Sequence, residues 1–200
     1  LYDAQVALLS LPRLTGTTSD TIPADIPYLA ATETRSDVAP RGQDSLRIGV
    51  AWAGKSTHRN DRNRSMPLSL LAPLLETPGT MFHSLQIGEH ANAIAAQGFQ
   101  ALLRDQRAEI RDFADSAALL MTLDLVISVD TALVHLAGAL GRPVWALLPY
   151  APDWRWQTGR TDSPWYPSIR LFRQDAPNDW QGVIRQVSES LQDRTRKETG

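Results

Sequence analysis

From residue 47 onward, short apolar runs alternate with longer stretches of helical periodicity. Segments 47–52, 80–85, 125–129, 144–148 and 169–172 are brief and rich in Val, Ile, Leu and Phe. That is the pattern of strands buried on both faces. A weaker strand is expected near Glu109 and Ile110. Between these runs, 67–76, 89–97, 112–122, 131–140 and 180–191 read as helices. Pro67 stands in a first turn, Phe113, Ala117, Leu120 and Met121 share one side of 112–122, and Gly141 closes 131–140. Strands alternating with helices at this spacing predict βαβ units. The expected fold is α/β, a parallel sheet of about six strands flanked by helices.

The flanks read differently. Residues 1–45 carry Pro12, Pro23, Pro27 and Pro40, with a Thr-rich stretch from Thr15 to Thr18. This is loop chemistry. The apolar runs 6–9 and 26–29 look like pieces that dock on something, and 32–45 reads as an exposed polar linker. Residues 46–192 form the expected domain, and 193–200 a charged, frayed end. The chain does not begin with Met, so an excised piece of a longer protein is expected.

Composition narrows the options. Two hundred residues at 42% hydrophobic can bury a full core. A net charge of −2 supplies no global attraction to nucleic acid. No cysteine is present, so disulfides and thiolate metal sites are excluded. No apolar run approaches the roughly 18 residues of a membrane span, and the start lacks a signal-peptide pattern. A cytoplasmic protein is expected.

The candidate chemistry gathers after strand ends. The tract SVDTALVHLAGALGRP, 128–143, places Asp130 and Thr131 where a strand gives way to a helix. Ligands of parallel α/β sheets bind at that edge. Asp130 is expected to cap the helix, leaving first-turn N–H groups to meet a diphosphate. Thr131 and His135 lie one turn apart. His135 is either a packed core histidine or a site residue. Loop 54–65, after the first strand, holds Lys55, Arg59, Arg62 and Arg64 against one Asp. It is either a phosphate clamp or a solvated surface loop. Gln86 and Gly88 follow the second strand, as an ordinary turn or a ligand edge. Asp115 could hold a ribose, although Asp112 is the better cap and capping the plainer role. Trp154, within PDWRW, could stack on a base or sugar, or the segment could plug an edge. The four histidines show no metal-ligand spacing.

Taken together, DFADSAALLMTLDLVISVDTALVHLAGALGRPVWALLP, HRNDRNRSMPL, SLQIG and PDWRW–DSPWYP resemble glycosyltransferase family 9, the ADP-heptosyltransferase family. The likeness is greatest to the glycosyltransferase-like domain at the C-terminus of bacterial tetratricopeptide-repeat proteins. It implies the C-terminal, Rossmann-like half of a GT-B fold. It implies a nucleotide-sugar-binding part of an inverting, metal-independent glycosyltransferase, with the nucleotide sugar as substrate and no cofactor. Asp130 would then contact the donor sugar. Thr131, Ala132 and His135 would lie by the diphosphate, and the basic loop, Arg64 foremost, would neutralise the leaving group. Gln86, Gly88, Asp115 and Trp154 would border the nucleoside. Arg64-Ser65-Met66-Pro67 departs from the family's Lys and Trp-Pro, and Ala132 replaces its Gly. The acceptor, a sugar or a protein, and the acceptor base would belong to an N-terminal half not included here. Two other readings stand: a non-catalytic scaffold on the same fold, and an isomerase of nucleotide sugars.

Overall fold

The computed structural model describes residues 3–32 and 45–198. Six strands form one sheet: β1 (Leu46–Ala51), β2 (Thr80–Ser84), β3 (Leu103–Asp105), β4 (Leu125–Val129), β5 (Val144–Leu148) and β6 (Ile169–Arg173). Their spatial order is β3-β2-β1-β4-β5-β6, and every pairing is parallel. β1 lies between β2 and β4, with Val50 opposite both Ser84 and Ile127. The chain thus winds outward in one direction from β1 to β3, then returns to the other side of β1. Such a reversal opens a crevice beyond the carboxyl ends of the central strands.

The helices are α1 (Leu11–Leu14), α2 (Asp61–Arg64), α3 (Ala72–Leu75), α4 (Ala93–Ala96), α5 (Phe113–Leu120), α6 (Ala132–Ala139) and α7 (Trp180–Glu198). Helices α3, α5, α6 and α7 supply most of the helical cover on the two faces, while α1 has no buried residue and α2 lies in the loop after β1. β4 shows why its apolar run is continuous. Leu125, Ile127 and Val129 face a core with Leu71, Leu74, Val183 and Val187, while Val126 faces α5 and α6 through Leu119, Leu120, Val134 and Ala137. With both faces buried, neither tolerates polar alternation.

Several expected elements change shape. The helix over 67–76 is a 3-10 turn, Leu68–Leu71, followed by α3, because Pro73 supplies no N–H in mid-run. The helix over 89–97 divides in the same way into Glu89–Asn92 and α4. The strand expected near Glu109 and Ile110 is instead β3 at Leu103–Asp105, and Arg107–Glu109 is a 3-10 turn. β3 is a three-residue edge strand with only Leu103 buried, too short for an apolar signature. At the C-terminus, α7 continues through Glu198, so most of the stretch expected to fray is helical. The expected linker 32–45 lies almost wholly outside the described residues. Among the described residues, no helix is long and apolar enough to cross a membrane.

The segment before β1 meets the domain around the C-terminal end of α6, where Pro27 lies by Gly141 and Ala31 packs on the core. Tyr28 and Leu29 both donate their N–H to the Ala139 carbonyl, at 3.0 and 3.2 Å. They thereby pair a carbonyl left over at the C-terminal end of α6. Elsewhere Leu8, Leu9 and Leu14 are exposed.

Candidate functional site

Two clefts open side by side at the carboxyl edge of the sheet. The first, of about 640 Å³, has apolar walls from Ala51, Leu85, Ile87, Ile110, Phe113 and Leu133, with Lys55, His90 and Ser116 at its margin. The second, of about 510 Å³, is polar, with His58, Asn60, Asp130, His135, Asp153 and Arg155. Arg64, Thr131 and Ala132 line both and form the waist between them.

Arg64 reaches the waist because the basic loop is folded, not loose. Ser65 Oγ accepts from Gly54 N at 2.9 Å and donates to Asp61 Oδ1 at 2.9 Å. Asp61, buried at the start of α2, lies 3.4 Å from Arg64 Nε. Arg64 Nη1 donates to the Asp130 main-chain oxygen at 2.9 Å. Gly54 leaves room for this side chain, since a Cβ there would run into the guanidinium. Lys55 lines the first cleft. Arg59 and Arg62 are exposed and line neither.

The start of α6 differs from expectation. Its cap position is Thr131, extended at φ −136° and ψ 171°, and not Asp130. β4 ends at Val129, the turn consumes Asp130, and the helix begins one residue later. No side chain accepts from the first turn, because Thr131 Oγ1 sits 3.3 Å from Ser128 Oγ. The Asp130 carboxylate instead lies 3.9 Å from His135 Nε2. An uncapped helix start beside a guanidinium can receive an anion through its N–H groups.

His135 is packed on one side and open on the other. Its ring stacks on the buried Trp156, with centroids 5.2 Å apart and planes at 20°. Its Nδ1 lies 3.2 Å from the Tyr166 hydroxyl. Burial holds its pKa below the ordinary histidine value, and the Asp130 carboxylate opposes that shift.

The remaining candidates divide. Gln86 lines the first cleft, but its amide is fully engaged. Oε1 accepts from Trp52 N and Ala53 N at 3.1 and 2.9 Å, and Nε2 donates to the Ala53 and Ile87 carbonyls. Gly88 borders the same cleft at φ 73°, a conformation other residues rarely adopt. Asp115 lines neither cleft: Arg111 engages both carboxylate oxygens and holds the pKa down to about 2. Asp112 is the cap of α5, accepting from Ala114 N and Asp115 N. Trp154 is 66% exposed, outside both clefts, and meets Trp165 edge-on at 6.0 Å.

Phe113 and Ile87, 65% and 57% exposed, are cleft residues that periodicity assigns to the core or overlooks. Phe113 has the spacing of a packing residue, but it opens α5 beyond the strand ends, where nothing covers it. Asp153 and Arg155, the flanks of Trp154, line the polar cleft. Among the described residues, no group of His, Cys, Asp and Glu is arranged to hold a metal ion.

Residues 108–189 match the family model described as glycosyltransferase family 9 (heptosyltransferase). Protein FlbA of Caulobacter vibrioides is 30% identical over 151 residues, covering 74% of this chain and 25% of FlbA. The E. coli ADP-heptose LPS heptosyltransferase II superposes with a TM-score of 0.52 at 19% identity, over 80% of this chain and 49% of its own. The E. coli heptosyltransferase WaaC with ADP gives 0.50 at 19% identity, over 84% and 47%. The two structural likenesses establish a shared fold. The chain spans a quarter of FlbA and about half of each heptosyltransferase.

Proposed function

We propose that this chain, a partial glycosyltransferase family 9-like domain, binds the nucleotide-sugar donor of a glycosyl transfer in its paired clefts. The observation that carries this reading is their arrangement. An apolar slot and a polar chamber meet at one arginine and one uncapped helix start. A nucleotide sugar has the same three parts in the same order: a flat base, a dianionic bridge and a polyhydroxylated ring.

In this reading the base enters the apolar slot, between Phe113 and Ile87. The diphosphate lies at the waist, against Arg64 and the Thr131 and Ala132 N–H groups. The sugar occupies the polar chamber with Asp130 and His135. As the glycosidic bond breaks, negative charge grows on the leaving diphosphate. Arg64 is already oriented by Asp61 and the Asp130 carbonyl, so it meets that charge without reorganisation. Lys55, at the margin of the slot, adds to the same field.

Inversion at the anomeric carbon and independence from metal belong to the proposal and are supported by the family likeness. So does the acceptor, a sugar or a protein, whose base would come from the remainder of the whole protein. General base catalysis needs a group within about 3 Å of the attacking hydroxyl.

The test is a thermal-shift and calorimetric screen of ADP, UDP, GDP and CDP, with their sugars, on wild type and Arg64→Ala. Stabilisation by one of these nucleotides, lost in Arg64→Ala, is expected. Failure of the whole panel to bind would overturn donor binding and support the non-catalytic scaffold.

A further inference from the structure

A line of three aromatic residues runs from the segment before β1 to the wall of the polar chamber. The Tyr28 hydroxyl donates to the Tyr166 hydroxyl at 3.4 Å. The Tyr166 hydroxyl lies 3.2 Å from His135 Nδ1. The opposite nitrogen, Nε2, lies 3.9 Å from Asp130 Oδ1, beside the chamber. The three rings come from different parts of the chain: Tyr28 from before the domain, His135 from α6 and Tyr166 from the approach to β6.

The packing holds this line in place. Gly138 is one turn beyond His135, and a Cβ there would approach the Tyr166 ring to 2.7 Å. Glycine at that position lets the ring lie flush on α6. Trp156 stacks under the imidazole and Tyr166 meets it at 59°, so the ring is held on two sides. Tyr28 is positioned by its own N–H bond to Ala139.

Proton counting then sets the imidazole. A hydroxyl has one proton to give. Tyr28 spends its proton on Tyr166, so Tyr166 turns its own toward His135. With the Asp130 carboxylate facing Nε2, the arrangement that leaves every proton with a partner has Nδ1 accepting from Tyr166 and the neutral ring carrying its proton on Nε2. We propose that Tyr166, held by Tyr28, is a positioning residue that fixes His135 as the Nε2–H tautomer, so that the polar chamber meets its ligand with a neutral N–H donor. This rests on the reading of the chamber as the sugar-phosphate side of a donor site. It extends that reading by making the segment before β1 part of the site's chemistry.

The charged and titratable groups facing His135 are Asp130 after β4, and Asp153 and Arg155 after β5. His58 and Arg64, after β1, line the same chamber. A bound phosphate or sugar oxygen would take the place of the Asp130 carboxylate as partner of the Nε2 proton. A histidine protonated on Nδ1 would instead offer the chamber a lone pair and repel such an oxygen.

The experiment is histidine side-chain 15N–1H correlation on the unliganded protein at neutral pH. The expected wild-type spectrum has a pyridine-type Nδ1 and a protonated Nε2 at His135. Tyr166→Phe keeps the packed ring and removes the donor, so the signature moves toward a mixture of tautomers. Tyr28→Phe, at an exposed position that folding tolerates, lets Tyr166 accept from Nδ1 and shifts the mixture the same way by a smaller amount. A wild-type ring protonated on Nδ1, or a signature unmoved by Tyr166→Phe and Tyr28→Phe, would overturn the proposal.

Titration of the same proteins with ADP and an ADP-sugar separates the two readings. Tyr166→Phe should bind an ADP-sugar about fivefold more weakly, the scale of one neutral hydrogen bond, and bare ADP nearly as tightly as wild type. Unchanged affinity for the ADP-sugar would overturn the role of the tautomer in ligand binding. If wild type itself fails to bind ADP and the other nucleotides, the donor-site reading falls, while the spectrum still decides the tautomer.

Discussion

The Arg64 guanidinium donates to the main-chain oxygen of Asp130 at 2.9 Å, joining the loop after β1 to the turn after β4. The contact spans the point where the winding of the sheet reverses. It uses one face of the guanidinium fork and leaves donors toward both clefts. Removing the side chain should cost a charge-assisted interaction with a bound diphosphate, about 1.5–3 kcal/mol or roughly 10- to 150-fold in affinity. Calorimetric titration of Arg64→Ala with ADP checks this. Arg64→Lys should recover part of the loss, since a point charge replaces a fork.

Phe113 offers a cleaner separation of folding from binding. At 65% exposed it contributes little to the core, so Phe113→Ala should change stability by less than about 0.5 kcal/mol. If its ring stacks on the base, the same substitution should weaken ADP by about 1–3 kcal/mol. Inorganic pyrophosphate, which has no base, should bind both proteins alike. Equal weakening for the two ligands would place the ring away from the base.

Two aspartates near helix starts should behave in opposite ways. Asp112 accepts from Ala114 N and Asp115 N at the head of α5. Asp112→Ala should cost about 1 kcal/mol and lower Tm by about 2–4 °C for a chain of this size. Asp130 caps nothing, so Asp130→Ala should leave Tm nearly unchanged while weakening nucleotide sugars more than bare nucleotides. Calorimetry on both variants, with ADP and an ADP-sugar, tests the contrast.

Acid should act on this protein through separate groups. His83 is buried on β2, and burial, with Arg104 and Arg47 nearby, holds its pKa at about 4 against the usual 6.5. Between those values the unfolded chain binds the proton and the folded chain does not. The contribution of His83 is therefore fully present above pH 6.5 and is lost as pH falls toward 4. Asp115, depressed to about 2 by Arg111, loses its contribution only below the ordinary 3.8. Urea midpoints should decline from neutral pH to pH 4 in wild type and decline less steeply in His83→Gln. Parallel slopes would remove His83 as a cause.

The central architecture was legible because parallel strands buried on both faces leave unbroken apolar runs. The β4 and β5 segments were read with their observed bounds, and β1 shifted by one residue. β3 escaped because a three-residue edge strand buries only Leu103. For the site, position after a strand end was the useful signal: it pointed to the basic loop and to Asp130, Thr131 and His135, the family likeness put Arg64 foremost in that loop, and the fold brings these four together. Charge alone was a poor guide, since Arg59 and Arg62 share the basic loop yet point away from both clefts. The apolar walls were illegible, because Phe113 has the same spacing in sequence as a residue that packs. Whether a side chain at a helix start is covered depends on what lies beyond the strand ends, which no local pattern encodes.

If the slot takes a base as proposed, Gln86 carries a consequence for selectivity. Where β1 and β2 part to make room for the slot, the backbone of Trp52, Ala53 and Ile87 loses its ladder partners. One side-chain amide takes up all four of those polar groups. The inner wall is left with little hydrogen-bonding capacity, since its polarity was neutralised when the protein folded. A purine or pyrimidine pressed against that wall is judged by thickness and outline, not by the donors and acceptors on its edge. On the proposed reading, discrimination among bases would fall to the margin of the slot, where Lys55, Glu89 and His90 stand. Substitutions at the rim are the ones that could retune which nucleotide is accepted, while the wall behind it stays indifferent.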